Sequence, residues 1–370
     1  MDITKAFDSI NHDSLLSVLF DLGIQKNAYN WFKSYLCNRK QYVEIAYYNE
    51  KKIKIHIQSQ IRSIQHGVPQ GSILGPLLYI CYTGNLPKLT TCSQLIFYAD
   101  DVNLKISGCS ENEIESATKS DLGVLKKYFN DKQLLLNPDK TKFIYFSTRQ
   151  TKTATNPKIE IDGKSISKVD HIKFLGLLID NNLSWNLHAE KVISKTSSGI
   201  YALSRLKPFF DAESLKTVYF AYIHSIISFG ISLYGATSIS NLDAILKLQK
   251  KAIRIILNLK PRTSVKEHFS SLNIMTVYGI YVFETILSLK SKFNDLNLVG
   301  DNHNYSTRKR GDIALNSHRL QLYTKKPTYI GSKFYNKLPQ HIRNAGGHTE
   351  FKRKLKQFLI NKALYSLEEL

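Results

Sequence analysis

Hydrophobic and polar residues along the first half of the chain predict both helices and strands. Amphipathic helices are predicted directly after Asp8 and over residues 111–130, and a mostly apolar helix over residues 72–82. Short runs with the properties of strands lie at residues 41–46, 53–59, 143–146, 159–161 and 174–179. The dipeptide Asp162-Gly163 predicts a hairpin between Ile161 and Ile166. This mixture predicts an α+β fold.

The second half of the chain has the longer period of amphipathic helices, at residues 212–225, 241–259 and 350–364. Residues 296–315 are polar and charged and contain Gly300 and Gly311, as is typical of a linker. We therefore predict a mixed domain at 1–180, a helical region at 181–295, a linker at 296–315 and a basic terminal segment at 316–370.

A pair of adjacent carboxylates interrupts the strand pattern. Asp100 and Asp101 lie between the apolar run 95–99 and the alternating run that begins at Val102, which predicts a hairpin with acid at its tip. Carboxylate oxygens hold Mg²⁺ against a triphosphate when a further carboxylate is contributed from elsewhere in the fold. The alternative is an ordinary tight turn, in which Asp is common. The doublet alone does not decide between them.

The charge of the chain indicates a polyanionic partner. The formal net charge is +21, with 23 Lys and Arg against 18 Asp and Glu in residues 1–185, and 28 against 12 in residues 186–370. Such an excess exceeds what solubility requires and is typical of proteins that bind nucleic acid. Most of this excess lies in the second half.

Several features narrow the class of protein. The longest apolar stretch, residues 219–236, is interrupted by His224, Gly230 and several serines, so no membrane partner is predicted. Four cysteines without CxxC spacing predict free thiols, an intracellular location and no zinc knuckle.

Three sequence blocks in a set order carry a resemblance to a known family. The chain begins MDITKAFD, continues with HGVPQGSILGP at residues 66–76 and has YADD at residues 98–101. Together they resemble reverse transcriptases, most closely those of non-LTR (LINE-like, jockey-like) retrotransposons. The resemblance continues through LNPDKT at 136–141 and FLG at 174–176 and is looser beyond. It implies a right-hand polymerase palm at 1–180 without fingers, a helical thumb and a basic tail.

The resemblance also implies roles for individual residues. Asp2, Asp100 and Asp101 would be the catalytic carboxylates that hold two Mg²⁺ ions, for which Mn²⁺ can substitute, with the Ile3 carbonyl as a further ligand. One ion would activate the primer 3′-hydroxyl and the other would neutralise the leaving pyrophosphate. The remaining residues implied to contact substrate are Phe7, Pro69, Gln70, Gly71 and Tyr98.

Two of these assignments have ordinary alternatives. Phe7 matches the aromatic residue that packs under the sugar and excludes a 2′-hydroxyl, which favours deoxynucleotides. The alternative is a core residue at the start of a helix. For Pro69, Gln70 and Gly71 the alternative is a generic loop without a ligand.

A lysine and a turn complete the implied site. Lys140 matches a basic residue that donates a proton to, or balances the charge of, the leaving pyrophosphate. Lys142 would face the same way in a strand, so the sequence does not separate the two. Phe174, Leu175 and Gly176 resemble the primer grip, a turn that positions the primer terminus. The alternative is a common apolar strand with a glycine.

Downstream cations provide candidate contacts to a nucleic-acid backbone. In the helix predicted over 241–259, one stripe is basic and the opposite side is apolar. The basic residues are Lys247, Lys250, Lys251 and Arg254. They predict sequence-independent phosphate contacts, and the alternative is a solvated face. Further basic clusters at 308–310 and 352–356 are either phosphate contacts or nuclear-import signals.

The function implied by the resemblance is RNA-directed DNA polymerisation. Its partners would be an RNA template, a DNA primer or target and deoxynucleoside triphosphates, in the nucleus and cytoplasm. Because only Met1 precedes Asp2, we expect a truncated product with little or no polymerase activity alone.

Two alternatives remain open. One is a catalytically inactive remnant that still binds nucleic acid. The other is an intron maturase, which is disfavoured because the tail has no recognisable zinc or His-Asn-His nuclease pattern.

Overall fold

The computed structural model describes residues 1–84, 86, 89, 92–147, 157–291, 296–301 and 310–370. The chain divides into two compact units, Met1–Val169 and Asp170–Leu370. The mixture of helices with small two-stranded sheets confirms the predicted α+β class.

In its described residues, the first unit contains four α-helices among many short strands. The helices are α1 (His12–Asp21), α2 (Lys26–Leu36), α3 (Leu74–Thr83) and α4 (Glu111–Asp131). The strands are β1 (Asp2–Ile3), β2 (Lys40–Gln41), β3 (Glu44–Tyr48), β4 (Lys54–Gln58), β5 (Arg62–Ser63), β6 (Gln94–Tyr98), β7 (Asp101–Lys105), β8 (Leu136–Asn137), β9 (Lys142–Phe143), β10 (Glu160–Ile161), β11 (Lys164–Ser165) and β12 (Ser167–Lys168).

Pairing in this unit is mostly antiparallel. The antiparallel pairs are β1–β8, β2–β5, β3–β4, β6–β7 and β10–β11, and β9–β12 is parallel. The hairpin predicted at Asp162-Gly163 is confirmed as β10–β11. The strands predicted at 143–146 and 41–46 differ from the structure. The first is only the two residues of β9, and the second is divided between β2 and β3 because each pairs with a different partner.

The core of the first unit lies between helices α1, α3 and α4 and the strands β1 and β7. Its buried members include Ile3, Ile10, Leu15, Leu19, Tyr79, Tyr82, Val102, Leu125 and Phe129. Helix α1 begins where the Asn11 side chain accepts a hydrogen bond from the Ser14 amide at 2.9 Å, which satisfies a free helix-end donor. Because Val102 of β7 is buried in this core, the core also holds the strand that follows the YADD turn.

The second unit is mainly helical. It begins with the hairpin β13 (His171–Phe174) and β14 (Leu177–Asp180). The α-helices are α5 (Asn186–Leu206), α6 (Ala212–Tyr219), α7 (Ser225–Ser228), α8 (Ile231–Tyr234), α9 (Ile239–Ile256), α10 (Lys266–Ser271), α11 (Val277–Lys290), α12 (Pro327–Asn336), α13 (Gln340–Arg343) and α14 (His348–Lys362). The described residues of this unit also form a π-helical turn (Phe220–His224) and 3₁₀ turns (Val299–Asp301, Gln321–Lys325). Helix α11 is buried along most of its length and is the centre of the core.

The domain limits differ from the predicted ones. The first unit ends at Val169 rather than at residue 180. The β13–β14 hairpin packs with the helices that follow it, because the Leu178 amide donates to the buried ring of His188 at 3.2 Å.

The segment predicted as a linker at 296–315 also lies within the second unit. Leu298 and Ile313 form a β-bridge, and the Asn336 side chain bonds both the amide and the carbonyl of Ile313. Ile313 is buried in the core. Residues 302–309 fall outside the described part of the chain, and with them two residues of the basic cluster at 308–310.

In the described part of the chain, no helix combines the length and apolar character needed to cross a membrane.

Candidate functional site

Strand β1 presents Asp2 beside the loop that contains Lys140. Its register pairs Asp2 with Asn137 and Ile3 with Leu136. Because neighbouring side chains on a strand point to opposite faces, Ile3 is buried in the core while the Asp2 side chain stays 41% exposed. The Asp2 carboxylate is therefore available to a ligand.

The YADD segment forms the predicted hairpin. Tyr98 pairs with Asp101, so Ala99 and Asp100 are the two turn residues. Ala99 adopts φ +54°, in the left-handed region. Asp100 and Asp101 are exposed, whereas Val102 is buried. The hairpin thus places both carboxylates outside the core.

A hydrogen bond brings the first carboxylate to the doublet. The Met1 backbone nitrogen donates to the Val102 carbonyl at 2.6 Å. Asp2 follows Met1 and Asp101 precedes Val102, so each of these two carboxylates belongs to a residue next to the bonded pair. Burial lowers the pKa of the Met1 amino group, and the carboxylates of Asp101 and Asp2 both act to raise it. Two of the three predicted carboxylate ligands therefore act on the same nitrogen.

Phe7 packs against an aromatic residue of α3. Its ring centroid is 4.8 Å from that of Tyr79, a buried residue of α3. Burial raises the pKa of the Tyr79 phenol, and the Asp100 carboxylate raises it further. Tyr79 was not among the predicted site residues, because in sequence it is one aromatic residue in an apolar helix.

The GVPQG loop packs directly on the residues that follow Asp2. Gly67 adopts φ +86°, and a Cβ there would come within 2.8 Å of the Asp8 Cα atom. The Val68 amide donates to the Phe7 carbonyl at 2.9 Å. The Gln70 side chain donates to the Asp8 carboxylate, also at 2.9 Å. Only glycine at position 67 allows the loop to come this close to the Asp8 backbone without strain.

Of the remaining predicted substrate residues, Gly71 and Tyr98 are exposed and Pro69 is half-buried. Gly71 adopts φ +79°, and Pro69 accepts a hydrogen bond from the Ser72 hydroxyl at 2.7 Å. Tyr98 is 63% exposed at the end of β6.

An asparagine turn orients Lys140 towards Asp2. The Asn137 side chain accepts from the amides of Asp139 and Lys140 at 3.1 and 3.2 Å. The Lys140 ammonium lies 3.8 Å from the Asp2 carboxylate. Lys142 lies in β9, paired with Ser167. The Lys140 and Asp2 side chains are 71% and 41% exposed, so their pairing adds little to stability.

The donor set suits a hard divalent cation by its chemistry. Asp2, Asp101 and Asp100 supply carboxylate oxygens, the ligands that Mg²⁺ prefers. Among the described residues, no group of three or more His, Cys, Asp or Glu side chains is already arranged to hold a metal. Carboxylates repel one another when no cation lies between them. The three carboxylates are therefore chemically suited to such an ion, and they must move closer together to bind it.

The predicted primer grip lies in the second unit as a turn. Phe174 pairs with Leu177, leaving Leu175 (φ +45°) and Gly176 (φ +89°) between them. The single strand predicted at 174–179 is therefore two strands, because both turn residues are in the left-handed region. A Cβ on Gly176 would lie 3.0 Å from the ring of Phe229.

The four basic residues of the α9 stripe differ in their surroundings, because two contact other residues and two are exposed to solvent. The Lys250 ammonium lies 3.7 Å from the Tyr365 ring centroid, and burial lowers the pKa of Lys250. The Arg254 side chain donates to the Thr263 carbonyl at 3.0 Å. Lys247 and Lys251 are exposed. Within this stripe, Lys247 and Lys251 are therefore the residues most accessible to a ligand.

Comparison with protein families agrees with this arrangement of motifs. Residues 1–179 match the model of the reverse transcriptase (RNA-dependent DNA polymerase) family. They form a reverse transcriptase domain, and the chain is homologous to the RNA-directed DNA polymerases of jockey-like and other non-LTR retrotransposons.

Three curated relatives show the extent of the similarity. The probable RNA-directed DNA polymerase from transposon BS of Drosophila melanogaster is 29% identical over 266 residues, which are 69% of this chain and 28% of the relative. The RNA-directed DNA polymerase from mobile element jockey of the same species is 26% identical over the same shares. The retrovirus-related Pol polyprotein from type-1 retrotransposable element R2 of Popillia japonica is 24% identical over 55% of this chain and 36% of the relative. The chain thus spans about a third or less of these relatives.

Proposed function

We propose that the reverse transcriptase domain adds deoxynucleotides to a primer 3′-hydroxyl under the direction of an RNA template. The observation that carries the proposal is the bond between the Met1 nitrogen and the Val102 carbonyl, which brings Asp2 to the YADD hairpin. Asp2, Asp100, Asp101 and the Ile3 carbonyl would hold Mg²⁺. The ions would supply the charge stabilisation of nucleotidyl transfer.

The neighbouring residues act on the substrates in this proposal. Lys140 balances the charge of the leaving pyrophosphate or donates a proton to it. Phe7 contacts the sugar of the incoming nucleotide. The other nucleotide and template contacts are Pro69, Gln70, Gly71 and Tyr98. The proximity of Lys140 to Asp2 supports its assignment over Lys142.

The second unit serves as thumb and tail in this proposal. The turn at Phe174, Leu175 and Gly176 positions the primer end. Lys247 and Lys251 follow the phosphate backbone, and Lys250 and Arg254 contribute charge while they stabilise the unit. Contacts of this kind are sequence-independent and weaken with salt.

The proposal is tested by primer extension on poly(rA)/oligo(dT) with Mg²⁺ or Mn²⁺. Incorporation that is lost in both Asp100→Asn and Asp101→Asn supports it, and incorporation that persists in both variants contradicts it. Asp131→Asn is the matched control, because Asp131 is an exposed carboxylate at the end of α4.

A metal-binding measurement decides the case in which incorporation is too slow to detect. Mn²⁺ titration followed by electron paramagnetic resonance reports binding without catalysis. Weaker binding in Asp100→Asn and Asp101→Asn, with unchanged binding in Asp131→Asn, supports the metal site. Equal binding in all variants contradicts it.

A second candidate function is nucleic-acid binding without synthesis. It is favoured by the excess of basic residues in the second unit, which carries 29 Lys and Arg against 14 Asp and Glu. Salt-sensitive binding of RNA, together with neither incorporation nor Mn²⁺ binding at the carboxylates, would select it.

A further inference from the structure

A cavity in the second unit lies apart from every residue assigned above. Its volume is about 600 Å³, within the range of small-molecule sites. Leu233, Leu320 and Leu322 contribute apolar wall, although these leucines are 36%, 50% and 40% exposed. Trp185, His318 and Tyr323 contribute aromatic wall. Exposed leucines around a concave surface are typical of a binding site.

One wall of the cavity is held in a strained shape. Trp185 adopts φ +64°, which is uncommon for a bulky residue. The Asp180 carboxylate holds this loop by accepting from the amides of Trp185 at 2.9 Å and Ser184 at 3.0 Å. Burial alone would raise the pKa of Asp180, but these and further hydrogen bonds lower it. The wall is therefore fixed by the chain itself.

His318 and Tyr323 of the cavity wall belong to an aromatic cluster. The rings of His318 and Tyr323 are nearly parallel, with centroids 5.7 Å apart and planes at 12°. Tyr329 lies edge-on to His318, with centroids 5.0 Å apart. His318 is exposed, so its ring offers stacking surface to a ligand. Base–aromatic stacking does not require hydrogen-bond readout and tolerates any base.

The rim of the cavity is cationic. Arg319, Lys325 and Lys326 line it. Residues 313–349, which include this rim, contain six Lys and Arg and no Asp or Glu. An apolar cavity with a purely basic rim matches a ligand that has a flat ring and phosphates, and a base with its flanking phosphates has both.

We propose that this cavity binds an unpaired base of a single-stranded nucleic acid, with the adjacent phosphates at Arg319, Lys325 and Lys326. The site is separate from the carboxylates of the first unit. Its assignment to nucleic acid rather than to an acidic peptide rests on the proposed function, because both ligands would match the charge. A base already paired in a duplex could not enter, so single strands bind more tightly than duplexes.

The test is fluorescence anisotropy of the full chain with labelled rU12, without divalent metal or nucleotides. We expect Tyr323→Ala and Leu320→Ala each to raise Kd by about 5–10-fold, as expected for loss of part of one stacked base. Lys326→Ala should raise Kd by about 3–5-fold and lower the salt slope by about 0.7. Tyr323→Phe should retain the affinity, because it keeps the ring.

Matched controls separate the cavity from general surface effects. Tyr201 is an exposed aromatic residue of α5, sixteen residues beyond the wall residue Trp185, or about 24 Å along the helix. Lys337 is exposed in the same acid-free stretch but does not line the cavity. Tyr201→Ala and Lys337→Ala should therefore bind like the unaltered chain. Unchanged circular dichroism of each variant shows that it is folded.

Three outcomes would overturn the proposal. The first is equal affinity in the cavity variants and the controls. The second is photocrosslinking of 5-iodouridine-substituted rU12 that yields no crosslinked peptide from residues 183–185, 233 or 317–327. The third is stronger competition by poly-glutamate than by unlabelled rU12, which would indicate an acidic peptide. Binding of rU12 is measured without divalent metal or nucleotides and does not depend on incorporation, so failure of polymerase activity and failure of this site are distinguishable.

Discussion

At the residue scale, Lys140 and Lys142 carry the same charge two positions apart but have different neighbours. The turn made by Asn137 directs Lys140 to within 3.8 Å of Asp2. Lys142 instead lies in the parallel pair of β9 with β12. Sequence alone predicted a functional lysine here without separating the two, because the choice depends on where the chain leaves the turn.

Lys140→Ala should lower nucleotide incorporation by about 100-fold, the lower end of the range for a proton donor. Lys142→Ala should stay within about twofold on the same scale. Single-nucleotide incorporation kinetics measure both. Removing Lys140 should also strengthen Mn²⁺ binding, because its charge no longer competes for Asp2. Equal loss in the two variants would show that Lys140 has no particular role.

His188 should make the stability of the second unit depend on pH. The side chain is buried, its Nδ1 accepts from the Leu178 amide, and its Nε2 has no hydrogen-bond partner among the described residues. Burial, with smaller contributions from Lys191 and Lys195, lowers the pKa of His188 to about 4. The unfolded chain binds this proton near pH 6.5, at the ordinary pKa. The neutral form of His188 therefore contributes its full stabilisation above pH 6.5. This contribution to the free energy of unfolding is lost as pH falls from 6.5 towards 4.

The expected loss is about 1–3 kcal/mol between pH 7.5 and pH 4. His188→Asn keeps an acceptor for the Leu178 amide and does not titrate, so it should reduce this dependence. Urea unfolding across the pH range measures it. His171→Asn is the control, because His171 is exposed on the adjacent hairpin. A pH dependence that His188→Asn leaves unchanged would assign it to other groups.

At the scale of elements, two glycines in helices of equal length have opposite surroundings. Gly199 in α5 faces the π-helical turn, where a Cβ would lie 2.8 Å from the Tyr222 carbonyl oxygen. A Cβ on Gly123 in α4 would point into open space, with no neighbouring atom of the described residues within 4 Å. Helical periodicity predicted α4 well, yet it does not distinguish a glycine that packs from one that does not.

Gly199→Ala should destabilise the second unit by about 1–3 kcal/mol, because the contact is with backbone that cannot move aside cheaply. Gly123→Ala should stabilise the first unit by about 0.5–1 kcal/mol, since alanine is the better helix former. Thermal unfolding followed by circular dichroism compares them. Stabilisation by both substitutions would mean that α5 and the π-helical turn separate readily.

At the scale of the whole molecule, each unit has a core of its own. The large cluster of buried residues from Val192 to Leu364 lies entirely in the second unit, and the clusters of the first unit end at Ile166. The second unit, residues 170–370, also carries 29 Lys and Arg against 14 Asp and Glu, compared with 22 against 16 in the first unit.

A fragment of residues 170–370 should therefore fold alone. We expect a helical circular dichroism spectrum and cooperative urea unfolding, because the core, as far as its residues are described, contains none before Asp170. A fragment that begins at residue 181 is the comparison and should be less stable, since it lacks the β13–β14 hairpin. Non-cooperative unfolding of the longer fragment would show that the first unit completes its core.

The sequence by itself determined the resemblance to reverse transcriptases, the α+β class, the YADD hairpin and the long helices, because these depend on local motifs and on periodicity within one element. Tertiary structure decided the rest. It brought Met1 into contact with Val102, Gln70 with Asp8 and Lys140 with Asp2. It also assigned the β13–β14 hairpin and the predicted linker to the helical unit. Such contacts join residues far apart in the chain, and their geometry follows from packing that no local pattern records. The carboxylate doublet and its partner Asp2 are thus readable from sequence, whereas the contact that brings Asp2 to the hairpin and the aromatic cavity become visible only in the folded chain.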